Sequence, residues 1–344
     1  GDWAGFLSER GKLPLDFSAS ISPLGVPGGV RAAVRQAAGQ MDRYPDPLCR
    51  ALRESISEYE LVPPQQILCG NGAAELIFRV VWALRPRQAL VTAPTFSEYG
   101  AALQSVGCAV KTWSLPEKRD FRLEEGVLDA ITPETDLVFL CEPNNPTGVT
   151  AGRPLLLQIL RRCRETGTRL VLDECFGDLL DDPESHTLKG ELEAYPNLLI
   201  LKAFTKLYAM AGIRLGYALC ADRALLERMY LAGQPWSVSV PAQAAGAAAL
   251  RETAYRERVR SLVRRERPCL AKRLGTLGLR VVPGEANYLL FQSPVSLGEP
   301  LARRGILLRS CDNYIGLDET WYRTAVRTRR QNQRLVEALE EIVK

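Results

Sequence analysis

The chain has 344 residues, 46% hydrophobic and 24% charged, with 44 basic against 40 acidic side chains for a net charge of +4, which is ordinary globular composition and enough length for more than one domain. Nine cysteines without a C-x-x-C pair and a single histidine, His186 in a polar loop-like stretch, exclude histidine triads and zinc sites and fit reduced thiols in a cytosol. No stretch reaches the roughly 18 consecutive apolar residues of a membrane span, the opening Gly1-Asp2-Trp3 lacks a leader pattern, and the arginines of 322–334 lack aromatic interleaving, so the expectation is a cytoplasmic protein with neither membrane nor nucleic acid as a partner.

In chain order, short apolar runs read as buried parallel strands: Ile67-Leu68, Ala89-Leu90-Val91, Leu137-Val138-Phe139-Leu140, Leu170-Val171-Leu172 and Leu198-Leu199-Ile200-Leu201. Amphipathic stretches at 73–85, 152–166 and 222–232 lie between or after them and predict helices. Segment 241–275 reads as helix, 279–282 and 288–291 as strands, and 331–343 as a closing helix. Alternating strands and helices imply an α/β domain with a largely parallel sheet over 36–250. The two chain ends, 1–35 and 251–344, are expected to form a smaller α+β domain.

Each central strand runs into an unusual polar turn: Cys69-Gly70-Asn71-Gly72, Ala93-Pro94-Thr95, Glu142-Pro143-Asn144-Asn145-Pro146-Thr147-Gly148, Asp173-Glu174 and Ala203-Phe204-Thr205-Lys206. In open α/β sheets ligands bind outside the carboxyl ends of the strands, so these turns predict one pocket. Gly70-Asn71-Gly72-Ala73 opens a predicted helix, whose free N–H groups would suit an anion. Asp173 ends a buried strand, where a carboxylate needs a cation or a good donor. Lys206 is followed eight positions later by Arg214, and a lysine desolvated beside cations becomes a usable amine nucleophile.

The stretch from Thr205-Lys206 to Arg214 resembles the lysine loop of the fold-type I pyridoxal-phosphate enzymes, and the likeness extends over positions 16 to 328. By that resemblance pyridoxal 5′-phosphate is the cofactor and Lys206 carries it, while Lys202 lacks the arginine at plus eight. The resemblance further implies that Thr205, Arg214 and the backbone of Gly72 and Ala73 bind the cofactor phosphate. Asp173 would face the pyridine nitrogen, Asn145 would bond the ring oxygen, and Phe96 would stack on the ring, with Tyr99 as the other choice. Tyr44, in Arg43-Tyr44-Pro45, would reach the partner subunit's cofactor phosphate, making the protein a homodimer with shared sites. Arg323 matches the arginine that clamps a substrate α-carboxylate. The family usually has Ser or Thr where this chain has Ala203.

Two branches of the family share these motifs, the histidinol-phosphate aminotransferases and the threonine-phosphate decarboxylases of cobalamin biosynthesis. Three features resemble the second: Arg309-Ser310-Cys311-Asp312-Asn313-Tyr314-Ile315-Gly316-Leu317, Arg327 in place of a usual glycine, and Phe176 in place of a usual tyrosine. The opening Asp16-Phe17-Ser18-Ala19-Ser20 is similar as well. The family's His-Gly-Gly before this region has no counterpart here, which leaves Arg309 and Arg327 as candidates for a substrate phosphate. Decarboxylation of a small phosphorylated amino acid is therefore expected, with transamination as the alternative. A non-catalytic effector domain is a third reading, disfavoured because no DNA-binding segment precedes position 16.

Overall fold

The computed structural model describes residues 2–343. A seven-stranded sheet runs in the order Ile67–Gly70, Gly216–Leu219, Leu198–Ala203, Arg169–Asp173, Leu137–Cys141, Gln88–Ala93, Ala109–Ser114. All neighbours pair in parallel except Gly216–Leu219, which is antiparallel to both of its own. Side chains alternate between the two faces. Val138, Leu140, Leu170, Leu172, Leu198 and Ile200 pack on one side with helices Arg50–Glu60, Arg153–Thr166 and Val240–Leu250. Leu137, Phe139, Val171, Leu199 and Leu201 pack on the other with Ala73–Leu84, Glu98–Gln104 and Arg223–Leu231. Burial on both faces explains the unbroken apolar runs.

The five expected strands form, and two more complete the sheet. Ala109–Ser114 is an edge strand with mixed exposure, and Gly216–Leu219 is short and begins on glycine, so neither reads as an apolar run. The helix expected over 241–275 is two helices, Val240–Leu250 and Thr253–Thr276. The break falls at Arg251-Glu252, where Glu252 leaves helical geometry and its carboxylate accepts the N–H of Gly29 at 2.9 Å.

Segments near the two chain ends lie side by side. Leu15–Asp16 pairs in parallel with Ile306–Leu307. Arg309–Ser310, Trp321–Ala325, Tyr288–Gln292 and Arg280–Val281 form a four-stranded antiparallel sheet. Phe17 is fully buried with Leu270, Leu289, Phe291, Leu335 and Leu339 in the core of this unit. Helix Gly28–Ala37 instead packs along Val240–Leu250, against the large sheet's layer. The division into 36–250 and 1–35 with 251–344 stands as a proposal, and its end residues 1 and 344 lie outside the described residues. No helix among the described residues is long and apolar enough to cross a membrane.

Candidate active site

At the carboxyl edge of the large sheet a cleft of about 150 Å³ is lined by Ala73, Phe96, Asn145, Asp173, Phe176, Ala203, Thr205, Lys206 and Arg214, among others. These side chains come from five separate turns, the convergence the strand-end pattern implied. Helix Ala73–Leu84 starts behind Gly72 without a side-chain cap, so N–H groups of its first turn are open to an anion. Gly72 has φ +82°, and a Cβ there would sit 2.6 Å from the Arg214 guanidinium. Glycine thus lets a fixed cation lie directly on the helix start, and Thr205 adds a hydroxyl to the same wall. That donor set fits a phosphate dianion. Ala203 lines the cleft with no hydroxyl, so the contact usual in the family is missing at that position.

Asp173 is 4% exposed and held from two sides. The Tyr99 hydroxyl donates to one carboxylate oxygen at 2.6 Å, and the Cys175 N–H donates to the other at 3.0 Å. Tyr99 is fully buried and stacked on Phe139 at 4.8 Å, behind the carboxylate. It is therefore not the ring-stacking aromatic, whereas Phe96 lines the cleft. Sequence reasoning missed this role of Tyr99. The signal was the alternation that sends Asp173 to the same face as Val171 and Phe139.

Two lysines, Lys202 buried and Lys206 half-buried, stand four residues apart in opposite electrostatic settings. Desolvation and the positive charge of Arg323, with a smaller push from Arg214, outweigh Cys175 and Asp173 and lower the Lys206 pKa to about 8. Its ammonium nitrogen lies 5.1 Å from the centre of the Phe176 ring. Lys202 points to the other side of the sheet and meets Asp178 at 3.0 Å, Glu60 at 3.4 Å and Glu174 at 3.7 Å. Burial opposes its charge, yet Asp178, Glu60 and Glu174 together raise its pKa well above the usual lysine value. Of these two, Lys206 has the setting that favours a neutral amine. Glu174 is pushed up to about 7 by burial against the pull of Lys202, and it binds Thr187 as well, as a structural group would. His186 packs at 3.4 Å from Glu142 on that same side, away from the cleft.

Arg323 is 8% exposed, donates to the Asn145 side-chain oxygen and to the Ser18 carbonyl, and lies 5.2 Å above Tyr288. Tyr314 also reaches Asn145, at 3.4 Å. Arg309 is the direct cross-strand partner of Arg323. Its guanidinium donates to Asn313 at 2.8 Å and lies over Tyr314. Arg327 donates to the Asp16 carbonyl, and burial lowers its pKa; like Arg309 and Arg323, it is not among the residues lining the cleft. Neither Arg309 nor Arg327 forms an ion pair with Asp312 or Glu319. Tyr44 is 81% exposed and rests against Trp236, with ring centres 4.9 Å apart, outside its own chain's cleft.

A mostly parallel sheet with this strand-end cleft, a helix-start anion cradle and a lysine of lowered pKa is the architecture of a fold-type I enzyme. The aminotransferase class I and II family matches residues 14–339, and the chain belongs to that family, whose cofactor is pyridoxal 5′-phosphate. It is similar to the threonine-phosphate decarboxylase of Salmonella typhimurium strain LT2, with 40% identity over 96% of this chain and 91% of the relative. It is also similar to the histidinol-phosphate aminotransferase of Symbiobacterium thermophilum, 35% identical over 93% and 88% of the two chains. Among solved structures, the histidinol-phosphate aminotransferase of Clostridium acetobutylicum superposes with a TM-score of 0.89 at 28% identity, covering 95% and 98%.

Proposed function

We propose that this enzyme decarboxylates O-phospho-L-threonine to 1-aminopropan-2-ol O-phosphate, as a cytoplasmic homodimer serving cobalamin biosynthesis. The observation that carries the reading is the pairing of Arg309 and Arg323 directly across two antiparallel strands. Like charges at opposed positions destabilise a sheet. Such a pair suits a ligand with two anionic groups, and phosphothreonine carries a carboxylate and a phosphate. The 40% identical decarboxylase supports the same substrate.

The pyridoxal cofactor, when bound, supplies the electron sink for breaking a bond to the substrate α-carbon. Gly72, Ala73, Thr205 and Arg214 would hold its phosphate, joined by Tyr44 of the partner subunit. Asp173, fixed by Tyr99 and Cys175, offers its carboxylate to the ring nitrogen, while Asn145 offers its amide to the ring oxygen and Phe96 covers the ring face. Lys206, with its pKa near 8, is partly neutral at physiological pH, so Nζ can attack a carbonyl carbon. With the cofactor bound, Nζ of Lys206 in its ammonium form would be the group placed to return a proton to the substrate α-carbon once carbon dioxide has left.

Arg323 binds the substrate carboxylate and Arg309 its phosphate. Arg327, held by the Asp16 carbonyl, is the less available candidate for that phosphate. Transamination of histidinol phosphate is the competing reading, favoured by the 35% identical aminotransferase. The test supplies phosphothreonine without any oxo acid and measures carbon dioxide and aminopropanol phosphate over many turnovers. Turnover only with histidinol phosphate plus 2-oxoglutarate would overturn the decarboxylase reading.

A further inference from the structure

Arg79 is an arginine that the cofactor chemistry does not use, yet it is only 3% exposed. It lies on helix Ala73–Leu84, two turns into the element whose first residues form the phosphate cradle. Its Nη2 reaches Glu75 at 2.8 Å, the Ser237 hydroxyl at 2.9 Å and the Gln234 carbonyl at 3.3 Å. Glu75 in turn uses its other carboxylate oxygen to accept the Asn71 N–H at 2.5 Å. One carboxylate therefore bridges the buried cation and the backbone of the turn that presents Gly72.

The other end of the clasp is built as closely. A Cβ on Gly233 would overlap the Arg79 guanidinium, so that residue's lack of a side chain is what admits the cation. The 233–237 loop also carries Trp236, whose ring meets Tyr44. A buried arginine deprived of its carboxylate is strongly unfavourable, so Arg79 holds Glu75 in place.

We infer that Arg79 is a positioning residue for the cofactor phosphate. Through Glu75 it sets the orientation of the 70–73 turn, and it anchors that turn to the loop on which Tyr44 rests. The inference depends on the assignment of the cleft to pyridoxal phosphate. Arg79 touches neither cofactor nor substrate; its effect is confined to the phosphate end.

That confinement gives a readout which general destabilisation does not imitate. The full-length chain, resolved of cofactor, is titrated with pyridoxal phosphate and with pyridoxal, which lacks the phosphate, in the wild type and in Glu75→Gln, Gly233→Ala and Arg79→Met. Gly233→Ala displaces the guanidinium without removing a charge, and Glu75→Gln keeps the shape, so both remain informative where Arg79→Met fails to fold. The expected result is a loss of about tenfold in affinity for pyridoxal phosphate, equivalent to one hydrogen bond to an anion, with pyridoxal affinity unchanged. Equal losses for both ligands, or undiminished preference for the phosphorylated one in the variants, would overturn the role of Arg79 alone. A wild type that binds both ligands equally would overturn the phosphate-cradle assignment, and this inference with it.

Discussion

Replacing Tyr99 by Phe removes one oxygen and almost nothing else. The ring keeps its stack on Phe139, at 4.8 Å and 7° between planes, so no cavity opens. The lost atom is the donor 2.6 Å from Asp173, in a site where both residues are buried. Asp173 is left with the Cys175 N–H at 3.0 Å. A hydrogen bond to a charged group contributes about 1.5–3 kcal/mol, and a buried carboxylate that loses a donor bears that cost in full. Urea denaturation of the cofactor-free protein should therefore show a stability loss of about that size, with an unchanged slope. Because the same carboxylate faces the cofactor ring in our account, pyridoxal-phosphate affinity should fall too. A variant within about 0.5 kcal/mol of wild type, the range of an ordinary surface change, and with unaltered affinity would refute the claim that Tyr99 holds Asp173.

Further expectations follow from the charges around the cleft. Lys202→Met leaves Glu60, Glu174 and Asp178 without their shared cation and should cost about 3–5 kcal/mol of stability, while Lys206 still takes up the cofactor; an undestabilised variant would contradict the cluster. Lys206 has a folded pKa lowered to about 8, so the unfolded chain binds more protons from there up to the ordinary lysine value, and this group's penalty on folding is full below pH 8 and fades as pH rises. Cofactor-free Lys206→Met should thus melt above wild type at pH 7, with the gap closing toward pH 10; a pH-independent gap would refute the lowered pKa. Arg309→Gln should raise KM for phosphothreonine at least as much as Arg327→Gln, because Arg327 is already engaged by Asp16; the reverse order would reassign the phosphate. Mixing inactive Tyr44→Phe with inactive Lys206→Ala should restore some activity through hybrid sites, and none despite proven subunit exchange would contradict sharing.

Much of the cleft was legible because its residues sit at strand ends, where an apolar run stops and a polar turn begins. Lys206, Asp173 and Asn145 are placed by that rule and Arg214 by its spacing to Lys206, and the structure brings these four to one cavity. Their spacing to one another also carries the family resemblance. What escaped were contacts between distant segments. Nothing local in Tyr99 announces a bond to a residue 74 positions away. The clamping of Arg327 by the Asp16 carbonyl spans 311 positions and uses a backbone atom, which no residue pattern encodes. Lys202 is a different case. Alternation along Leu198–Ala203 already sends it to the face of Leu198 and Ile200, opposite Leu199 and Leu201, and that period could have separated it from the site without reference to Arg214. The edge strand Ala109–Ser114 was missed for a physical reason too, since an exposed edge needs no continuous apolar run.

The central claim is that environment selects one of two neighbouring lysines, and it can be read directly. Holoenzyme is reduced with borohydride, digested, and the pyridoxyl-bearing peptide sequenced. The account predicts label on Lys206 and none on Lys202, whose ammonium is held by three carboxylates. Label on Lys202, or a reducible cofactor adduct persisting in Lys206→Ala, would contradict it.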